Sequence, residues 1–338
     1  CIRDRLVAAL AAGNTVALKP SELTPHVSQM IKKLIDNVFP HGEVRCVLGG
    51  VEVATELLKQ PFNHFFFTGS TQVGKIVAHA AADQLAGVTL ELGGKSPCVV
   101  DSTADIKNTA RRIAWGKSLN AGQTCVAPDY LLIHEDIHDL LVDAIKAEWK
   151  AFFGDDPEKS PDYGRIVNHH HFDRLDQMIK STKGTIHGGR RLRETKYIEP
   201  TLVTHVDTSD STMADEIFGP ILPVFKWNKE ADLEAIINHH PDPLALYVFS
   251  GKPSFAEKIM NQYSFGGGCI NHIAHHLACP GLPFGGIRTS GVGQYHGKFG
   301  FDTFTHFKGI LNASTRFDLK LKYPPYGRRA GLLKWLYK

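Results

Sequence analysis

The stretch Phe67-Thr68-Gly69-Ser70-Thr71-Gln72-Val73-Gly74-Lys75 closes a run of strand character, Phe65 to Thr68, and opens a helical pattern that continues to Asp83. A strand that turns through glycine into a helix leaves free backbone N–H groups at the helix start, where the dipole attracts a phosphate. Gly69, Ser70 and Gly74 therefore mark a candidate phosphate cradle, with a tight ligand-free turn as the alternative. The spacing of Gly69 to Gly74-Lys75 also fits the first part of a P-loop. That motif needs a hydroxyl at the next position to hold Mg²⁺, and the residue there is Ile76. Working outward, the same alternation recurs: Thr15 to Leu18 precedes a helical pattern to Phe39, and Val44 to Leu48 precedes one to Gln60. Such βα repetition, with few charges in the strands, predicts a parallel sheet covered on both faces.

A second alternating set follows: Ser96 to Asp101, a helix over 105–119, Tyr130 to His134, a helix over 136–152, Ala245 to Ser250 and Gly267 to Asn271. The pattern predicts an α/β protein of two domains. A doubly wound parallel-sheet domain spans 1–92 and a second α/β domain spans 93–300, with an arm over 301–338. A chain of 338 residues with 43% hydrophobic content can bury two cores. In the arm, Leu332, Leu333, Trp335 and Leu336 alternate with Arg328, Arg329, Lys334 and Lys338, an amphipathic end that suits a partner subunit better than lipid.

Lys plus Arg number 38 and Asp plus Glu 35, so a formal charge of +3 gives no reason to expect nucleic acid. The six cysteines form no CxxC pair, which fits a reducing compartment and predicts a cytoplasmic location. No apolar stretch approaches the ~20 residues needed to cross a bilayer, and no signal peptide is expected from the sequence. The chain opens on Cys1 and runs straight into a helical pattern, Leu6 to Ala12, which reads as a start in mid-fold. Among 18 histidines, the cluster His169-His170-His171 and the pairs His239-His240 and His275-His276 invite a metal reading. Adjacent residues point to different sides of an element, so no metal is expected.

Two segments carry the chemistry. Glu91-Leu92-Gly93-Gly94-Lys95-Ser96-Pro97 places a carboxylate at a strand end before glycines that allow a sharp turn and close approach, so Glu91 projects into a cleft or serves as a cap or surface charge. Asn120-Ala121-Gly122-Gln123-Thr124-Cys125 presents a thiol in a turn after a helix. Ionisation makes such a thiol a strong nucleophile, while a buried inert cysteine is the default for any single one.

Taken in order, Lys19-Pro20-Ser21-Glu22, the Phe67 to Lys75 turn, Glu91 to Pro97, Asn120 to Cys125, Glu216-Ile217-Phe218-Gly219-Pro220 and Pro283-Phe284-Gly285-Gly286 resemble the aldehyde dehydrogenase family over nearly the whole chain. Gln123 to Tyr130, Phe301-Asp302-Thr303-Phe304-Thr305-His306 and Tyr323-Pro324-Pro325-Tyr326 are similar to its class 3, fatty aldehyde branch. The resemblance implies oxidation of an aldehyde to a carboxylate. Cys125 would be the nucleophile, forming a thiohemiacetal and then a thioester, and Glu91 the general base for thioester hydrolysis. It implies NAD as cofactor, with NADP as the alternative. Lys19 and Glu22 would meet the adenine ribose, Ser70 and its helix start the pyrophosphate, Glu216 the nicotinamide ribose, and Phe218 the ring. Without it, Lys19 and Glu22 read as a solvated pair and Glu216 as a turn charge. A homodimer using the C-terminal arm is implied, and His272, His275 and His276 fall in the substrate-facing loop.

The sequence departs from the family at its start. The Asn-Tyr-Pro or Asn-Phe-Pro triplet that precedes Lys-Pro-Ser-Glu, and whose Asn completes the oxyanion hole, does not occur, and Asn14 lies in a turn, Gly13-Asn14-Thr15. The chain is thus expected to be the remainder of a longer one. Losing an oxyanion donor costs on the order of 10²- to 10³-fold in rate. Two rival functions follow: an inactive truncated remnant with a binding or structural role, and an NAD-independent thiol hydrolase using Cys125 and a histidine.

Overall fold

A computed structural model describes residues 2–327 and 330–336. Strand His64–Gly69 runs into helix Thr71–Asp83 and pairs in parallel with Gly87–Leu92. Gly74 sits where that helix crosses the sheet: a Cβ there would lie 2.6 Å from a methyl of Leu92, so the glycine sets how closely helix and strand pack. Strands Val16–Leu18 and Val44–Cys46 also pair in parallel, joined by helix Pro25–Val38.

The parallel βα pattern is therefore present, but among the described residues these strands form two ladders rather than one sheet. Their cores are correspondingly separate. Ile35, Val44 and Cys46 pack with Leu6, Leu10, Val16 and Leu18, whereas Phe65, Val77, Ala81, Leu90 and Leu92 form another cluster. One pairing had no sequence signal. The two-residue strand Gly291–Val292 lies antiparallel on Gly87–Leu92, with Gly291 opposite Glu91.

The second sheet has seven strands in the order Gly267–Ile270, Ala245–Phe249, Pro97–Val100, Tyr130–His134, Ile221–Trp227, Thr201–Thr204 and Thr185–His187. All neighbours are parallel except the last pair. Pro97–Val100 and Ala245–Phe249 are buried throughout, and Tyr130–His134 and Ile221–Trp227 are buried except at His134 and Lys226, as near-continuous apolar sequences require for a sheet covered on both faces. Helices Ile106–Ser118 and His138–Phe153 share the largest core with one face, through Ile113, Ala114, Leu141, Ile145 and Trp149. The other face packs Leu132, Phe225, Leu246, Val248, Ala256 and Ile259.

The chain divides into two units, Cys1–Phe304 and Thr305–Lys338. The second contains helix Ala330–Leu336. Of the residues read as an amphipathic end, Arg328, Arg329 and Lys338 lie outside the described residues, as does Cys1, and the side chains of Leu332, Leu333 and Leu336 are not described. Among the described residues no helix is long and apolar enough to cross a membrane.

Candidate active site

Cys125 follows helix Ile106–Ser118 through a reversal built from three successive left-handed residues, Asn120 (φ 52°), Ala121 (φ 53°) and Gly122 (φ 73°). Non-glycine residues resist that conformation, so the loop must be held by its surroundings. Gln123 does much of this. Its amide donates to the Asn120 and Arg165 carbonyls at 3.0 and 2.9 Å and accepts from Val167 N–H at 2.9 Å. At Gly122 a Cβ would meet the Gly219 carbonyl oxygen at 2.2 Å, so the thiol loop lies against the segment that carries Glu216 and Phe218.

The half-buried thiol meets Glu91: Cys125 Sγ donates to Oε1 at 3.4 Å. Glu91 itself is 1% exposed. Its other oxygen, Oε2, accepts from Arg5 Nη2 at 2.7 Å, Thr68 Oγ1 at 2.9 Å and Tyr295 Oη at 2.7 Å. A buried carboxylate so furnished is compensated by one cation and two hydroxyls, and its remaining oxygen faces the thiol. The Arg5 guanidinium stacks over the rings of Phe66 and Tyr295, at 4.5 and 5.5 Å from their centroids. Burial, followed by the Glu91 charge and hydrogen bond, pushes the Cys125 thiol far above its ordinary range. The strong nucleophile that ionisation would give is therefore disfavoured without a group to take the proton. Cys125 stands as a thiol beside a carboxylate able to accept its proton.

Glu216 is the close approach that Gly93-Gly94 permit. A Cβ on Gly93 would fall 1.8 Å from Glu216 Oε2, and Gly94 N–H donates to the carboxylate. Beneath it lies a buried ion pair, Lys95 Nζ to Asp129 Oδ2 at 2.5 Å. Lys95 also donates to the Thr212 and Asp215 carbonyls at 2.8 and 3.0 Å, and Asp129 Oδ1 accepts from Ile217 N–H at 3.1 Å. Arg174 clamps the same loop through the Glu216 and Ile217 carbonyls at 3.4 and 2.6 Å. Burial and the Asp129 charge push Glu216 up to about 8. Phe218 follows with φ 48° and is 37% exposed, free to present its ring.

In the cradle, Ser70 caps helix Thr71–Asp83, its hydroxyl accepting from Val73 N–H at 3.4 Å, and Gly69 and Ser70 are exposed. An open helix start after a strand suits a pyrophosphate. At the end of strand Val16–Leu18, Lys19 Nζ donates to Glu22 Oε2 at 2.9 Å, which holds the Glu22 carboxyl below its usual range. Glu22 remains open to a diol, so these residues fit a dinucleotide. The fold thus brings Cys125, Glu91 and Glu216 into one neighbourhood. Among the described residues no hydrogen bond or ion pair joins Lys19 and Glu22 to Ser70 or Glu216.

Other residues take places the sequence left open. Asn14 donates to the Ala9 and Phe304 carbonyls at 3.1 and 2.9 Å, a main-chain clasp. His272 lies edge-on to Trp115 with centroids 6.3 Å apart and beside His275 at 4.6 Å. His276 instead turns inward, 5% exposed, with Nδ1 3.4 Å from Cys269 Sγ. Tyr295, Arg5 and Arg174 stand outside the quoted motifs, and Thr68 and Asp129 lie within them without an assigned role, because each acts through a partner distant in the chain.

An α/β fold that sets a thiol against a buried carboxylate and leaves a capped helix start open after a strand suits an enzyme that joins a cysteine to a dinucleotide site. Residues 2–310 match the model of the aldehyde dehydrogenase family, and the chain belongs to that family. It is 47% identical over 336 residues to 4,4'-diaponeurosporen-aldehyde dehydrogenase of Staphylococcus aureus, covering 99% of this chain and 73% of that protein. It is 45% identical over 322 residues to the dimeric NADP-preferring aldehyde dehydrogenase of Mus musculus, covering 95% and 71%. A solved structure of the substrate-bound state of Staphylococcus aureus AldH superposes with a TM-score of 0.96 at 46% identity, covering 99% of this chain and 73% of that one.

Proposed function

We propose that the chain oxidises aldehydes to carboxylates with a nicotinamide dinucleotide, using Cys125 as nucleophile and Glu91 as base. The observation that carries this reading is the 3.4 Å contact between Cys125 Sγ and Glu91 Oε1, with Oε2 already occupied by three donors. Glu91 takes the thiol proton and Cys125 Sγ bonds to the aldehyde carbon, whose π electrons move to oxygen to give a thiohemiacetal. The cofactor, when bound, supplies a hydride acceptor, and that transfer leaves Cys125 as a thioester. Glu91 gives up that first proton to solvent, then takes a proton from water as the water oxygen attacks the acyl carbon; the C–S bond breaks, Cys125 leaves as the thiolate, and Glu91 returns the proton to it.

For binding, Ser70 and the helix start after Gly69 would hold the pyrophosphate, with Gly74 keeping the helix close to the sheet. Lys19 and Glu22 would take the adenine ribose, Glu216 the nicotinamide ribose, and Phe218 would flank the ring. Glu22 repels a 2'-phosphate and Lys19 attracts one, so charge does not decide between the two cofactors; NAD is favoured with NADP as the alternative, and the mouse relative is named NADP-preferring. That relative's dimeric name also supports a homodimer. The five described cysteines are free thiols, which accords with a cytoplasmic, reducing setting.

NADH formation from aliphatic and aromatic aldehydes, measured beside Cys125→Ala, tests the reading. Turnover lost in the variant is expected. A folded protein that binds NADH yet labels its thiol without turning over would instead be a remnant. Ester hydrolysis indifferent to NAD, with no NADH binding, would make it a thiol hydrolase, although the partner of the thiol is a carboxylate rather than an imidazole.

A further inference from the structure

Helix Ile106–Ser118 carries in its last turn a lysine that the chemistry above does not use. Lys117 is 1% exposed, and its Nζ is enclosed with no hydrogen-bond partner. An ammonium placed so is costly unless opposite charge faces it, and an apolar side chain of the same length would fill the space without that cost.

The charges acting on Lys117 are those of Asp129, Lys95 and Glu216. Two of these are already matched, since Lys95 and Asp129 are bonded to each other and Lys95 makes two further bonds to the Thr212 and Asp215 carbonyls. The Glu216 carboxylate has the Gly94 N–H as donor. Its other neighbours are Arg174, whose guanidinium is bonded to the Glu216 and Ile217 carbonyls, and the Cys125 thiol, which feels the Glu216 charge. Lys95 and Lys117 thus both favour the Glu216 anion, but Lys95 is bonded to Asp129 whereas the Lys117 amine has no bonded partner.

We propose that Lys117 is a positioning residue for Glu216: its buried, unpartnered amine is the countercharge that, added to Lys95, lets this carboxylate ionise and meet the ribose diol of a bound dinucleotide. The ribose half rests on the assignment of Glu216 made above. Burial and Asp129 push Glu216 up to about 8, and burial draws Lys117 down to about 8. The two groups thus titrate over one range, each favouring the charged form of the other.

Carbon-13 NMR of δ-labelled glutamate follows Glu216 without cofactor or turnover, its signal being the one lost in Glu216→Gln. In Lys117→Met the Glu216 midpoint is expected to move up by about one pH unit or more, because an opposite charge has gone, and Lys117→Arg should recover most of the shift. An unchanged midpoint in folded Lys117→Met overturns the proposal. If that variant does not fold, the ε-carbon of Lys117 is followed in Glu216→Gln, where loss of the anion should lower its midpoint; an unmoved lysine overturns the proposal equally. NADH fluorescence titration separates the two assignments. Lys117→Met should weaken binding about tenfold at neutral pH and recover as Glu216 ionises in alkali. Glu216→Gln without effect on NADH affinity removes the ribose assignment alone. A weakened Glu216→Gln beside an unaffected Lys117→Met removes the Lys117 role alone.

Discussion

At the scale of single residues, the two oxygens of Glu91 do different work. Oε2 is held by Arg5, Thr68 and Tyr295, so the carboxylate cannot turn, and Oε1 is left to the Cys125 thiol. Because the Glu91 charge helps push that thiol up, replacing it should release the thiolate. Glu91→Gln is expected to speed alkylation of Cys125 by iodoacetamide by about tenfold for each pH unit the thiol falls, while steady-state aldehyde oxidation drops for want of a base. Mass-spectrometric labelling rates and NADH formation, measured on the same preparations, read the two effects separately; parallel losses in both would contradict the division of roles. Cys125 and Glu91 stood out in the sequence because each sits in a local frame of glycines, but that frame left their roles open and only the order of motifs across the chain suggested them. Arg5, 86 residues from Glu91, and Tyr295, 204 residues away, offer no such frame. A tyrosine that will donate to a carboxylate looks in sequence like any tyrosine of a core.

At the scale of elements, strand and helix limits followed from periodicity. Tyr130–His134 falls where the alternation places it, and Thr71–Asp83 begins after its capping serine. The ladders between strands were less legible, since Gly291–Val292 is too short to show a period and pairs with a strand two hundred residues earlier. The reversal before Cys125 is the element on which the site hinges. At Gly122, φ is 73° and a Cβ would sit 2.2 Å from the Gly219 carbonyl oxygen, so Gly122→Ala strains its own backbone and pries the thiol loop from the Glu216 loop. The expected cost is about 2–4 kcal/mol in stability, read from the shift of a urea unfolding curve. NADH affinity should fall with it, because both loops move.

At the scale of the whole molecule, the Lys95–Asp129 pair joins the end of the Glu91 segment, the strand Tyr130–His134 and the loop 211–217. Side-chain exposures of 2% and 4% leave neither charge any recourse to water. Lys95→Met should therefore destabilise the protein by about 3–5 kcal/mol by stranding Asp129, and adding Asp129→Leu should restore part of the loss. Equal melting of the single and double variants would show that the anion is not the source of the damage. Neither partner was readable as a pair in the sequence, where they stand 34 residues apart in separate motifs. The hydrogen bond from Tyr295 to Glu91 has a further consequence for synthesis. A chain made from its N-terminus displays its thiol and carboxylate long before Tyr295 emerges, so the carboxylate lacks one of its three donors through most of translation. Contacts that span such a separation close late. Full anchoring of the Glu91 carboxylate is thus withheld from nascent and half-folded forms, and its completion is among the late events of folding.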